Sequence, residues 1–483
     1  MNRNLTPDHL ATLIGQFPRK PAYRGLRQVL QELIGDGRIP LGTRLPSERA
    51  VSQALAVSRN TVTRAYADLV GAGFATTRQG AGTYAAVPEG RRRAHEHALR
   101  SFAGAQAADG SIDLNCASTT AIAGIGPAYE RALERLPGHL GTDGHRPTGL
   151  PGLRELIAQR FTRRGLPTDP EQIMVTSGAL AATAVIARAM SRAGDRVMVE
   201  SPVYPNVIEA LKLGGARLVA APMGDALGSD GWDLDGIEAT LTQTRPHLAY
   251  LIPDFQNPTG FLMADAQRAR YAAALQATRT VPIIDESLQA LALTDAAMPL
   301  PFAAHAPGAI TVGSVSKLFW SGLRVGWIRA PREMLDRLVK ARLQLDLGTA
   351  LFDQLVVSEL LEDEALIAMR RELLRQRRDV LAGAIADQLP EWRFRLPEGG
   401  MTLWLQLPGG SATQLAASLE AVGVHVPPGP MFSVEGGADQ WLRIPYVRPE
   451  EELLEAVRRI ADVWSKAPAR NPGRREATRA VIL

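Results

Sequence analysis

Seven short apolar runs separated by helical stretches constrain this chain most: QIMVTSG, DRVMVES, ARLVAAP, LAYLIPD, VPIIDES, AITVGSVS and VGWIRA, all between Gln172 and Ala330. Several are apolar at successive positions, so both faces of such strands must be covered. Strands alternating with helices predict a largely parallel sheet between helical layers, an α/β architecture. Sheets of this kind take their ligands at the carboxyl ends of the strands. The loops that follow these runs are therefore where chemistry is expected.

Five of those loops carry groups of one consistent kind. In TSGALAATAVIARAM, Ser177 and Gly178 open a helix; free amides at a helix N-terminus attract phosphate, and glycine lets the anion come close. The two prolines of SPVYPN hold Tyr204, an aromatic face able to stack on a flat ring. QNPTG displays the Asn257 amide on a turn. In IIDES, Asp285 follows two isoleucines, where a buried carboxylate needs a cationic partner. Finally, GSVSKLFWSGLRVGW sets Lys317 among Ser314, Ser316 and Arg324. A lysine deprotonated by burial and neighbours forms a Schiff base, and hydroxyls with a guanidinium suit a dianionic phosphate. A stacking ring, a carboxylate for a ring nitrogen, an amide for a ring oxygen, a phosphate cradle and an amine together suit pyridoxal 5′-phosphate.

In order and approximate spacing, VTSGALAA, SPVYPN, QNPTG, IIDE and GSVSKLFWSGLRVGW resemble the motifs of fold-type I aminotransferases over residues 112–467. The resemblance implies an internal aldimine at Lys317, an ion pair from Asp285 to the pyridine nitrogen, and Asn257 at the ring hydroxyl. It further implies Tyr204 stacked on the ring, and phosphate held by Ser177, Gly178, Ala179, Ser314 and Arg324, with Ser316 beside them. In QWLRIPYV it puts Arg443 at the substrate α-carboxylate, which a bidentate guanidinium suits. Two departures stand out. Ser287 and Leu288 occupy the positions where the family has a tyrosine after its aspartate. GTDGHRPTG replaces a loop that commonly bears a tyrosine reaching the other subunit's phosphate, with His145 as the candidate substitute.

The first 90 residues differ in charge: 11 Lys/Arg stand against 6 Asp/Glu there, while the other 393 residues carry 43 against 44. Excess positive charge at one end has the sign needed to approach phosphates. From Tyr23, Leu26, Val29, Leu30, Leu33 and Ile34 fall at helical spacing. Ser47 is placed to cap a second helix and Ser58 a third, and the short turn between them has helix-turn-helix spacing. FATTRQGAGTYAA then reads as a hairpin wing. Val62, Ala65, Tyr66 and Leu69 are expected to face a small core. Ser58, Arg59, Asn60 and Thr61 open the third helix, at the end of a recognition helix that meets base edges. The segment resembles the winged helix-turn-helix of the GntR family, which implies DNA contacts by Arg49, Ser58, Arg59, Asn60 and Thr61, with Arg64 and the wing near Gly80 on the backbone. A small helical bundle that binds protein is the alternative.

The expected organisation is an α+β winged helix-turn-helix (1–86), a solvated linker (87–111), an α/β fold-type I aminotransferase-like domain with a smaller C-terminal α+β subdomain (112–467), and a flexible tail (468–483). The single cysteine, Cys116, excludes an internal disulfide framework, fits a reducing cytoplasm and reads as a small buried residue. No membrane span, signal peptide or metal is expected. The combination resembles the MocR subfamily of bacterial regulators. It implies a cytoplasmic homodimer that binds operator DNA and senses an amino acid or related amine through aldimine exchange at Lys317. The rival readings are an active PLP-dependent aminotransferase carrying a DNA-binding module, and a DNA-binding protein whose large domain has lost its cofactor.

Overall fold

A computed structural model describes residues 5–35, 38–78, 81–86 and 110–466. Gly80, nearly all of the expected linker and the expected tail lie outside them. The chain divides into two compact units: residues 1–115 with 406–442 and 459–483, and residues 116–405 with 443–458.

In the first unit, four helices precede a hairpin: α1 (Pro7–Ile14), α2 (Ala22–Gly35), α3 (Glu48–Ala54), α4 (Arg59–Gly71), then β1 (Ala75–Arg78) and β2 (Gly82–Ala85). α1 precedes Tyr23, where helical spacing first shows in the sequence. Its local signals are a Thr6 side chain accepting from the His9 amide, Pro7 in the first turn and Gly15 just beyond the end. Two apolar residues, Leu10 and Ile14, tie it to the core. The Ser47 hydroxyl accepts from the Ala50 amide and the Ser58 hydroxyl from the Thr61 amide, so α3 and α4 begin where expected. Val62, Ala65, Tyr66 and Leu69 pack on Leu26, Leu30 and Leu33, each fully or nearly fully buried. Burying a side chain of this size contributes roughly 1.5–3 kcal/mol. Parallel strands β3 (Ile112–Asp113) and β13 (Val424–His425) pair within the same unit.

In the second unit, all seven apolar runs are strands: β4 (Ile173–Thr176), β5 (Arg196–Ser201), β6 (Arg217–Pro222), β7 (Leu248–Leu251), β8 (Val281–Asp285), β9 (Ile310–Ser314) and β10 (Gly326–Arg329). They form one sheet in the order β4-β10-β9-β8-β7-β5-β6. Six strands run parallel and β10 runs against both of its neighbours. Helices α5 (Ala179–Met190) and α6 (Pro205–Leu213) follow β4 and β5. The long helix α7 (Glu364–Gln388) precedes a three-stranded sheet, β11 (Arg393–Phe394), β12 (Thr402–Gln406) and β14 (Trp441–Pro445). Among the described residues no helix is long and apolar enough to cross a membrane.

The reversed strand creates the site. Gly326, the first residue of β10, lies opposite Thr176, the last of β4, and opposite Ser314, the last of β9. The loop after β4 and the loop between β9 and β10 therefore end side by side. Gly326 has to be glycine there, because a Cβ would meet the Gly313 carbonyl at 2.6 Å and Gly178 at 2.8 Å.

Candidate functional site

At the start of α5, Gly178 has φ +100°, a conformation glycine adopts without strain, and no side chain caps the helix. A Cβ at Gly178 would lie 2.8 Å from Nη2 of Arg324. Arg324 donates from Nη2 to the Ser177 carbonyl (3.2 Å) and from Nη1 to the Ser316 hydroxyl (3.4 Å). The Ser314 hydroxyl reaches that of Ser316 at 3.1 Å and accepts from the Ser316 amide at 3.2 Å. Hydroxyls, a guanidinium and the uncapped amides opening at Ala179 converge on one spot, and that donor set suits a phosphate.

Lys317 stands beside this cradle and donates from Nζ to the Ala117 carbonyl at 2.7 Å. Burial pushes its amine below the ordinary lysine range; nearby Arg443 and Arg324 add to this, while Cys116 and Asp285 oppose it. The neutral, nucleophilic amine is thereby populated at lower pH than in a free lysine. Asp285 is buried and makes no ion pair among the described residues. Its Oδ1 accepts from the Ser287 amide at 2.8 Å, and its Oδ2 accepts from the Tyr250 hydroxyl. A carboxylate oxygen pair has about four acceptor sites, so room remains for a cationic donor. Arg443, almost fully buried on β14, donates from Nη1 to Oδ1 of Asn257 at 3.3 Å. Burial pushes the Tyr204 phenol up to about 12, and its hydroxyl accepts from Asn206 at 2.8 Å. The site thus offers a buried carboxylate lacking a cation, a depressed lysine and a phosphate cradle, and these fit pyridoxal phosphate.

Several contributors carry no signal of their role in the sequence. Tyr250, on β7, places a phenol on Asp285 that the missing tyrosine after the aspartate does not explain. Cys116, expected to be a small buried residue, is only half-buried, with Sγ 2.8 Å from the Ser118 hydroxyl and close enough to Lys317 to act on its charge. His145 is exposed, its amide donating to Asp143. Arg370 on α7 is buried and donates to the carbonyls of Leu318 (2.9 Å), Phe319 (2.7 Å) and Thr120 (2.8 Å), which fixes the backbone just after Lys317.

Glu200, fully buried at the end of β5, anchors the Tyr204 and Asn257 loops together. It accepts from Trp232 Nε1 (2.7 Å), the Ile252 amide (3.2 Å) and Gln256 Nε2 (3.1 Å), and Gln256 also donates to the Pro202 carbonyl (2.7 Å). Burial pushes its carboxyl up to about 7, although the three donors pull the other way. The native state therefore holds an extra proton between the ordinary carboxylate range and pH 7, and stability falls as pH rises across that window. A shift of this size corresponds to roughly 3 kcal/mol. Urea unfolding of Glu200→Gln is expected to lose that pH dependence between pH 5 and 8. It should also show a general loss of about 1–3 kcal/mol, because the new amide turns a donor toward donors. An unchanged pH slope would contradict this account.

On the N-terminal unit, Arg49, Ser58, Arg59, Asn60 and Arg64 are exposed and Thr61 is half-buried. The Ser58 and Thr61 hydroxyls are 2.8 Å apart, and Arg59 Nε stands 3.7 Å from Glu48, a loose pairing that leaves its fork available. Arg64 lies over the Tyr23 ring at 3.9 Å. Arg44, unnoticed in sequence, joins Arg49 and Arg59 in lining one groove of about 490 Å³. Three arginines around a helix N-terminus make a surface suited to a nucleic-acid backbone.

Comparison with known proteins agrees with both units. Residues 137–460 match the family described as aminotransferase class I and II, and residues 22–85 match bacterial regulatory proteins of the gntR family. A 2-aminoadipate transaminase from Thermus thermophilus is 34% identical over 330 residues, covering 66% of this chain and 79% of the relative. The HTH-type transcriptional regulator TauR of Rhodobacter capsulatus is 28% identical over 450 residues, covering 84% of this chain and 88% of the regulator. The crystal structure of LysN, an α-aminoadipate aminotransferase from Thermus thermophilus complexed with N-(5′-phosphopyridoxyl)-L-leucine, superposes with a TM-score of 0.68 at 29% identity, covering 78% of this chain and 97% of LysN. A gntR-family DNA-binding segment is here joined to a fold-type I aminotransferase domain, and the chain belongs to the class I and II aminotransferase family.

Proposed function

We propose that the protein is a pyridoxal-phosphate-dependent transcription regulator of the MocR type, which senses an amino acid or related amine-carboxylate. One observation carries this reading: a buried lysine site of the aminotransferase kind shares a chain with an exposed, arginine-lined recognition helix. In this reading residues 1–86 read DNA, 87–111 link, 112–467 hold cofactor and effector, and 468–483 form a tail. Arg49, Ser58, Arg59, Asn60, Thr61, Arg64 and Gly80 meet the operator.

When bound, pyridoxal phosphate supplies an aldehyde that condenses with amines. Lys317 would hold it covalently, with Asp285 at the ring nitrogen, Asn257 at the ring hydroxyl and Tyr204 over the ring. Ser177, Gly178, Ala179, Ser314, Ser316 and Arg324 would hold the phosphate. Arg443 takes the effector's carboxylate, a pairing that favours amino acids over simple amines. An effector amine condensing with that aldehyde would leave the Lys317 amine free, and the Ala117 carbonyl would accept its hydrogen bond. Displacement alters operator affinity only if the effector binds two arrangements of the protein unequally. The active form is a cytoplasmic homodimer presenting two readers to paired half-sites.

Amino acids are to be screened for a shift in the visible absorbance of the loaded protein, and each hit tested for a change in operator affinity. A spectral shift that never alters DNA binding would refute the sensor reading. The resemblance to a 2-aminoadipate transaminase favours a second reading, a working aminotransferase with a DNA-binding module. Many turnovers with an amino donor and a 2-oxo acid would establish it.

A further inference from the structure

A cavity of about 200 Å³ lies next to the phosphate cradle, sharing Ser314 with it; Lys317, Asp285, Tyr204 and Asn257 are not among its walls. Its polar side is formed by Arg160, Arg164, Arg371, Glu286, Ser287 and Gln289, with Arg163 and Glu364 also at its wall. The charges do not cancel. Arg164 is paired with Glu286 at 2.6 Å and Arg160 with Glu364 at 3.0 Å, so each carboxylate already has its guanidinium. Arg371 is left over. Its Nε donates to the Ala290 carbonyl at 2.7 Å, and among the described residues its terminal nitrogens have no hydrogen bond and it has no carboxylate partner. Burial pushes Arg371 below the ordinary guanidinium range; Glu364 opposes this and Arg160 adds to it. Three buried polar atoms in the same wall also have no partner: Ser287 Oγ, Trp327 Nε1 and Glu286 Oε1. Two of these groups can donate, while Glu286 Oε1 can accept from a ligand hydroxyl.

We propose that this cavity binds a small hydroxylated oxyanion, of the hydrogen phosphate or hydroxycarboxylate type, on the fork of Arg371. A guanidinium fork matches two oxygens of such an anion. The volume lies below the 300–1,000 Å³ typical of larger-ligand pockets, so only a small anion fits. The occupant would adjoin Ser287, whose amide holds Asp285, and Ser314 of the cradle. The site stands on the cavity and its unpaired arginine, independently of cofactor loading.

Isothermal titration of the full-length protein with inorganic phosphate and, separately, with malate tests it. Saturable binding of at least one anion is expected, with phosphate or malate preference naming the type. Arg371→Gln is expected to weaken that binding at least about tenfold, close to 1.4 kcal/mol. Gln289→Glu, which keeps every arginine but adds a negative wall, is expected to do the same, so the test survives if Arg371→Gln folds poorly. Arg324→Gln removes cradle binding and leaves this site intact, whether or not cofactor is present. Absence of binding of either anion to the wild-type protein, or binding that Arg324→Gln abolishes while both other variants retain it, overturns the proposal.

Discussion

Lys317→Ala is expected to abolish covalent cofactor attachment: borohydride treatment of the loaded variant should leave no label on the chain, and the visible band should fall to background. The fold should survive, because the amine's hydrogen bond is to the Ala117 carbonyl, and burying the amine opposes its charged form. Removing a desolvated amine relieves about as much as the lost bond costs, which is on the order of 1 kcal/mol. Operator affinity without effector should be unchanged, while the response to effector disappears. Label on another lysine would show that Lys317 is not the attachment point. A preserved effector response would show that its displacement is not the signal.

Arg59→Ala is expected to have the largest effect on DNA. Arg59 is exposed in the opening turn of α4, and its loose contact with Glu48 is of a kind worth well under 1 kcal/mol at the surface. The folded protein should therefore melt as the wild type does. If the guanidinium reads a guanine edge, operator affinity falls about 10- to 100-fold, equivalent to 1–3 kcal/mol, and discrimination relaxes at one base pair. If it meets phosphate instead, affinity falls evenly across sequences and the salt slope drops by about one. Binding isotherms on operator and scrambled duplexes at two salt concentrations separate these outcomes. Cofactor absorbance should not change; its loss would mean that the two functions are not separable.

Much of this arrangement was legible in the residues because its causes are local. Ser47 and Ser58 cap helices through atoms three residues away. The seven apolar runs are strands because each carries its own burial pattern; Asp285 and Ser314 end two of them, and Ser177, Tyr204 and Asn257 stand in the loops that follow others. α1 shows the limit of local reading, since eight residues with only two buried side chains carry little periodic signal.

What stayed hidden depends on partners far along the chain. The antiparallel run of β10 is a property of pairing with β4 and β9, and nothing in VGWIRA announces its direction. Tyr250 meets Asp285 across 35 residues, Glu200 meets Trp232 across 32 and Ile252 across 52, and Arg370 caps carbonyls 51, 52 and 250 residues away. Arg371 looks in sequence like one of many exposed helix arginines; only the cavity beside it shows that no carboxylate among the described residues pairs with it.

By itself the sequence determined the fold class, the two kinds of module and the chemical identity of the groups after each strand, because periodicity, capping and motif order are carried by near neighbours. Tertiary structure alone decided which of those groups converge, how Asp285 is held, how the Lys317 amine is held and charged, and where an arginine stands without a carboxylate partner among the described residues. Burial and electrostatic pairing are properties of distances in space, and those distances exist only once the sheet has closed around them.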